Sequence, residues 1–142
     1  MSLKHCVVFN SNLEVKRRTS GAYRFANQME SLGWTAIVVE WTCDWPEDQL
    51  LAYLDAIVGD QTLLFAFSYT WMQPGWTRGA IKKLRERYPG RKYLAGGQQH
   101  YQDPVGFDVM MYGYSELALP ETIAWMFDGA SPPKHRLHMD GV

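Results

Sequence analysis

The sequence has no excess of charge of either sign and no long apolar run. Its 142 residues carry 14 Lys and Arg against 15 Asp and Glu, a formal net charge of −1 at pH 7. A charge so close to zero gives no reason to expect a nucleic acid or an anionic membrane as partner, because these partners bind basic surfaces. The apolar stretch in MSLKHCVVFNSN is far too short for a signal peptide core or a membrane span. We therefore expect neither a membrane nor a nucleic acid partner.

Cysteine is also scarce. Cys6 and Cys43 are the two cysteines, and the chain has no CxxC motif. Two isolated cysteines do not form a disulfide framework, so the sequence favours reduced thiols and a cytoplasmic location. Cys43, Asp44 and His100 lack the spacing of zinc ligands. We therefore assign no metal ligand.

Short apolar runs alternate with amphipathic stretches along the chain. The runs predict five strands and the stretches predict four helices. The strands fall at residues 3–9, 35–41, 62–68, 92–96 and 107–113, and the helices at 21–33, 45–59, 73–88 and 116–129. This alternation predicts an α/β fold, a flavodoxin-like doubly wound sheet of five parallel strands in the order 2-1-3-4-5, Rossmann-like in class. Residues 1–129 are predicted to form the domain, and residues 130–142, which lack periodicity, a linker or tail.

Two helix starts carry local signals. Ser20 and Asp44 are the residue types that cap helices, and each precedes a predicted helix. The apolar face of the first helix is expected to hold Tyr23, Ala26, Met29 and Leu32. Gly33 is expected to end the helix.

The candidate ligand site follows from this topology. Ligands of open doubly wound sheets bind beyond the carboxyl ends of the strands. The residues expected there are aromatic, small, hydroxyl-bearing or amide-bearing, with few charges, which suits a large, flat, mostly uncharged ligand. The candidate cofactor-binding residues are Asn10, Ser11, Asn12, Ser68, Tyr69, Thr70, Trp71, Gly96, Gly97, Gln98, His100, Gly113, Tyr114 and Glu116.

Several nucleotide and phosphate motifs are missing from this edge. The chain has no GxxxxGK[ST], and no GxGxxG follows the first strand, so phosphate-loop and dinucleotide sites are not indicated. A phosphorylation receiver would need acidic residues after the first strand and an Asp at the end of the third. This chain has Asn10 and Ser68 at those places.

Three motifs at successive strand ends carry a resemblance to a known family. SYTW, GGQQH and GYSE, in that order, resemble the cobalamin-binding domain found N-terminal in radical SAM enzymes, and SGAYRFANQMESLGW is similar to its first helix. The resemblance spans residues 3–128 and is nearest to phage and environmental members with FSYTW-type loops. It implies a cobalamin-binding module that is not an enzyme on its own, whose partner is a radical SAM catalytic domain in cis or in trans.

The resemblance also implies roles for individual residues. Gly96 and Gly97 would let the nucleotide tail of the corrinoid approach the backbone, and Ser68 and Thr70 would donate hydrogen bonds to it. The tail would be bordered by Gly113, Tyr114 and Glu116. Tyr69, Trp71 and Tyr101 would offer flat apolar contact to the corrin or its base.

The chain departs from the family pattern in three places. The family's DxHxxG histidine, which ligates cobalt in some members, has no counterpart in NSNLEVKRRTSG, so no metal ligand can be named. The CxxxCxxC iron–sulfur motif is missing, which leads us to expect a fragment, a free-standing module or a partner protein. GYSE replaces a GEGE-like turn and has one acidic residue fewer.

Two other functions remain open at this stage. A module of the same fold that has lost cobalamin would use its aromatic rim for a protein partner or for self-association as a homo-oligomer. The tryptophans that could form such a contact, or be partly core, are Trp41, Trp45, Trp71 and Trp76. An FMN-binding flavodoxin-like protein would hold phosphate with TSG at residues 19–21. The Gly96–Gly97 pair also fits a simple tight turn, without any ligand.

Overall fold

The computed structural model describes residues 3–11, 21–40, 42–70, 72–97, 105–112 and 116–133. The elements in chain order are β1 (His5–Phe9), α1 (Gly21–Ser31), β2 (Thr35–Val39), α2 (Glu47–Ile57), β3 (Thr62–Ser68), α3 (Pro74–Arg87), β4 (Lys92–Gly97), β5 (Val109–Tyr112) and α4 (Leu119–Phe127). A short 3₁₀ turn, Thr42–Asp44, precedes α2.

The strands form one sheet in the order β2-β1-β3-β4-β5, and every neighbouring pair is parallel. The predicted flavodoxin-like order is therefore confirmed. In the register of the central strands, Val7 lies between Ile37 of β2 and Phe65 of β3. The chain reverses its direction of winding between β1 and β3, so the carboxyl ends of these two strands are where this fold binds ligands.

The sheet is covered on both faces because alternate strand residues point to opposite sides. On one face, Val7, Phe9 and Phe65 pack under α2 and α3; this is the α2–α3 face. On the other, Cys6 and Leu64 pack under α1 and α4; this is the α1–α4 face. Burial on both sides explains why these strands read as continuous apolar runs.

The helix starts and ends differ from the sequence prediction in detail. Leu32 follows the end of α1 and is 39% exposed, so it lies outside the apolar face predicted for it. Asp44 belongs to the 3₁₀ turn, and the residue at the N-cap of α2 is Pro46, which makes no side-chain capping hydrogen bond. Proline has a fixed φ and no amide N–H, which suits it to the start of a helix without such a bond.

The connection from β4 to β5 is not helical in its described part, residues 105–108. Val105 and Phe107 from this loop pack into the α2–α3 face, and the Phe107 ring lies edge-on to Phe67 at 5.4 Å between centroids. The side chain of Asp108 accepts a hydrogen bond from the backbone N–H of Tyr93, and β5 begins at the next residue, Val109.

The described helices are short. The longest, α3, has 14 residues, and no helix in the described ranges has both the length and the apolarity needed to cross a bilayer. Of the predicted tail, residues 130–133 are described, and its role as a linker stays a prediction.

Candidate functional site

Asn10 lies at the carboxyl end of β1 and connects this strand to the segment after β2. It is fully buried, and its Nδ2 donates to the two carboxylate oxygens of Glu40 at 3.2 and 3.3 Å. Its carbonyl accepts both the backbone N–H and the hydroxyl of Thr42, each at 3.1 Å. The polar groups of Asn10 therefore hold the two strand ends together.

Ser11 is also buried, at 2% exposure, beside the thiol of Cys43. Burial raises the pKa of the Cys43 thiol, and the neighbouring Ser11 hydroxyl acts in the opposite direction. Burial likewise raises the pKa of Cys6, to about 12. Both cysteines are free thiols, and these shifts keep them protonated and unreactive near neutral pH.

Tyr69 follows β3 but points into the core. It is 1% exposed, its ring lies edge-on to Phe107 at 5.1 Å, and its backbone N–H donates to the carbonyl of Gly96 at 2.7 Å. The ring of Tyr69 thus belongs to the α2–α3 face, where contact with a flat ligand above the strand ends would require a rearrangement of the core.

Gly97 is a glycine because of Thr70. Its φ of +137° is one that L side chains rarely adopt. A Cβ at this position would lie 2.6 Å from Thr70 Oγ1 and 3.0 Å from Thr70 N. The close neighbour that the glycine pair predicted is, at Gly97, another part of the chain.

Gly96 has a different environment. It pairs with Ser68 across β3 and β4, and both residues are half-buried although these strands have neighbours on both sides. A Cβ on Gly96 would meet no described atom within 4 Å. A Cβ on Gly21, the first residue of α1, would lie 3.6 Å from Ser68 Oγ. We call this surface, formed by Ser68, Gly96 and Gly21, the Gly96 opening.

Glu116 is attached to α1. Its carboxylate lies 3.2 Å from the guanidinium of Arg24, and its carbonyl accepts a hydrogen bond from Gln28 Nε2 at 3.2 Å. Sequence reasoning selected Glu116 but not Arg24. The sequence signal that could have pointed to Arg24 is its position in the first turn of the helix that follows TSG.

Six of the predicted site residues lie outside the described ranges, and their roles stay predictions: Asn12, Trp71, Gln98, His100, Gly113 and Tyr114. Within those ranges, no group of three or more His, Cys, Asp or Glu side chains is arranged to hold a metal ion. The described residues that converge on the α1–α4 side of the strand ends are Ser68, Gly96 and, through α1, Glu116.

Comparison with known proteins adds a structural neighbour. No protein-family model matches the sequence, and no curated protein matches it. Among solved structures, the RcsB response regulator of Salmonella typhimurium, described for its conformational dynamism for DNA interaction, superposes with a TM-score of 0.58 over 96% of this chain and 68% of that chain. The two sequences are 10% identical. At this identity the likeness extends to the fold alone. The chain is therefore an α/β protein of flavodoxin-like topology, the fold it shares with this response regulator.

Proposed function

We propose that this chain is a cofactor-binding module that holds cobalamin, with the nucleotide tail of the cofactor entering the Gly96 opening. The observation that carries the proposal is the partly exposed pair Ser68 and Gly96, at the carboxyl ends of two interior strands of the sheet. An interior strand position is normally covered by a helix on each face. Here the described residues leave space above it.

The chemistry of the opening suits the tail of the cofactor. Gly96 lets a ligand approach the backbone closely, and the Ser68 hydroxyl is available at the same level of the sheet to donate or accept a hydrogen bond. α1 begins at Gly21, and the positive end of a helix dipole favours the negative charge of a phosphodiester.

Of the other residues predicted to contact cobalamin, some lie near the Gly96 opening and others do not. Glu116, ion-paired to Arg24, borders the same side of the sheet. Tyr69 is buried in the opposite core, and Gly97 is closed by Thr70. The proposed tail site therefore depends on Ser68 and Gly96, and the flat contacts to the corrin depend on residues outside the described ranges.

The role of the protein in this proposal is to hold and orient the cofactor. Cobalamin, when bound, supplies radical and group-transfer chemistry at its cobalt, and a radical SAM catalytic domain in cis or in trans would carry the reaction. This chain would contribute the tail pocket and the hydrogen bonds that fix the corrin over the edge of the sheet.

Retention of cobalamin tests the proposal. The purified protein is mixed with hydroxocobalamin and desalted, and the absorbance bands of the corrinoid are measured in the protein fraction. We expect the unmodified chain to retain the cofactor and Gly96→Leu to lower its affinity at least tenfold, because the leucine side chain would fill the opening. Gly96 does not have a positive φ, so the variant should fold.

Gly59→Leu is the matched control. Gly59 also has no described atom within 4 Å of its Cβ position, and it lies beyond the end of α2, away from the opening. The Gly59→Leu variant should retain cobalamin to the same extent as the unmodified chain. Equal retention by Gly96→Leu and Gly59→Leu would contradict the proposed tail site, and retention of FMN instead of cobalamin would favour the flavodoxin-like alternative.

If the protein retains neither cobalamin nor FMN, the result would favour the interaction module of the same fold. One observation favours that second candidate. Leu117 is 80% exposed and Trp125 of α4 is 39% exposed, and exposed apolar side chains of this size are typical of contact surfaces. Sedimentation at increasing protein concentration would then detect the self-association.

A further inference from the structure

A second cavity lies on the α2–α3 face, away from the Gly96 opening. It has a volume of about 250 Å³ and is bounded by α2, α3 and the sheet. Phe9 and Phe67 of the sheet form its floor, Leu50 and Leu54 of α2 form one wall, and Trp45 and Trp76 flank it. The sequence singled out these two tryptophans only as aromatic residues of the rim.

The cavity exists because α3 presents small residues to α2. Gly75 and Gly79 both line it, together with Ala80, and a Cβ at either glycine would meet no described atom within 4 Å. A glycine inside a helix costs about 1 kcal/mol relative to alanine. Both glycines are exposed, so they lie at the open side of the cavity, and a larger side chain at either position would fill the space between the helices.

The lining is suited to an uncharged aromatic molecule. The inner walls are aromatic and aliphatic, and the indole N–H of Trp45 already donates to the carbonyl of Glu40 at 2.9 Å. The charged lining groups are Glu47 and Lys83, which form an ion pair with each other. Their charges balance, so the mouth of the cavity favours neither an anion nor a cation.

The volume of the cavity limits the size of the ligand. A cavity of about 150 Å³ lined by apolar residues holds a benzene ring and stays dry, because a water needs two to four polar partners. The larger volume here accommodates one ring or two fused rings. We propose that the cavity between α2 and α3 binds a neutral aromatic molecule of one or two rings. This site lies on the other face of the sheet and does not depend on cobalamin binding.

The test uses 5-fluoroindole as the probe and follows its ¹⁹F resonance during titration with the full chain. We expect saturable binding with a dissociation constant on the order of 0.1 mM, an affinity within reach of a ligand of this size. Gly79→Leu should weaken it at least tenfold, because the leucine would occupy the cavity. Thermal unfolding followed by circular dichroism checks that this variant folds.

Two control variants separate this site from the first. Gly59→Leu and Gly96→Leu leave the cavity lining unchanged and should bind 5-fluoroindole like the unmodified chain. Gly79→Leu should in turn retain hydroxocobalamin to the same extent as the unmodified chain. The failure of one proposal can therefore be distinguished from the failure of the other.

Three results would overturn the inference. The first is the lack of saturable binding at millimolar probe, and the second is equal binding by a folded Gly79→Leu variant. The third is tighter binding of indole-3-acetate than of indole, because it would show that the mouth attracts an anion instead of admitting a neutral ring.

Discussion

At the scale of single residues, Gly96 and Gly97 are neighbours in the chain with different reasons for being glycine. Gly97 has a φ of +137° and leaves room for Thr70, whereas Gly96 faces space that no described residue fills. Gly97 is required by the fold. Gly96 is the glycine whose missing side chain could leave room for a ligand.

Alanine substitutions should separate these two roles. Gly97→Ala should lower the free energy of unfolding by about 1–3 kcal/mol, the usual cost of an unfavourable backbone conformation. Gly96→Ala should leave it unchanged or raise it by up to about 1 kcal/mol, because alanine loses less entropy on folding than glycine. Urea unfolding at neutral pH measures both. Equal destabilisation by the two substitutions would show that both glycines are structural.

At the scale of elements, the described part of the loop before β5 helps to cover one face of the sheet. A parallel sheet needs cover on both faces, and the described part of the β4–β5 connection provides it with Val105 and Phe107. Val105 is 6% exposed, and Phe107 contacts the rings of Phe67 and Tyr69. Within the described residues 105–108, this cover comes from a few side chains.

Phe107→Ala should therefore destabilise the fold, although the ring is only half-buried. Truncation of a buried phenylalanine to alanine costs about 3–5 kcal/mol, and we expect about 2 kcal/mol for a ring that is partly exposed. Tyr53→Ala, at an exposed position on α2, is the control and should cost less than about 1 kcal/mol. Urea midpoints that move equally in both variants would contradict a special role for the loop.

At the scale of the whole molecule, alkaline pH should weaken the fold. Burial raises the pKa of Tyr93 and of Tyr88 from 10.0 to about 12. The unfolded chain ionises these groups at lower pH than the folded chain does. Their contribution to stability is therefore complete below pH 10 and is lost as the pH rises towards about 12.

The two tyrosines differ in their hydroxyl partners, and this gives a prediction. The Tyr93 hydroxyl is buried with no hydrogen-bond partner among the described residues, while the Tyr88 hydroxyl donates to Asp55. Tyr93→Phe should raise the free energy of unfolding at pH 7 by about 1 kcal/mol, because an unsatisfied buried hydroxyl is costly. The ring would keep its place under the Arg85 guanidinium, 4.2 Å from the centroid.

Tyr88→Phe is the matched variant, and it should lower stability at pH 7 because it removes a hydrogen bond. Both variants should lose less stability than the unmodified chain as the pH increases above 10, since each lacks one ionising group. Urea unfolding at a series of pH values measures this. A destabilised Tyr93→Phe at pH 7 would show that its hydroxyl has a partner.

The amino-acid sequence by itself determined the order of strands and helices and the class of the sheet. Short apolar runs bounded by turn residues predict strands, and their alternation with amphipathic helices predicts a parallel sheet. Few topologies are open to such a sheet, and the order 2-1-3-4-5 is one of them. It also placed Asn10, Ser68 and Gly96 at the carboxyl ends of β1, β3 and β4, where the structure has them.

Only the tertiary structure decided which of these residues face solvent and which are enclosed. Thr70 and Gly97 meet because β3 and β4 are neighbours, and Asn10 is buried because Glu40 and Thr42 arrive from the next strand. The cavity likewise depends on how closely α2 and α3 approach each other. Contacts between residues far apart in the chain leave no local periodic signal, and for that reason the sequence placed the edge of the sheet but not its openings.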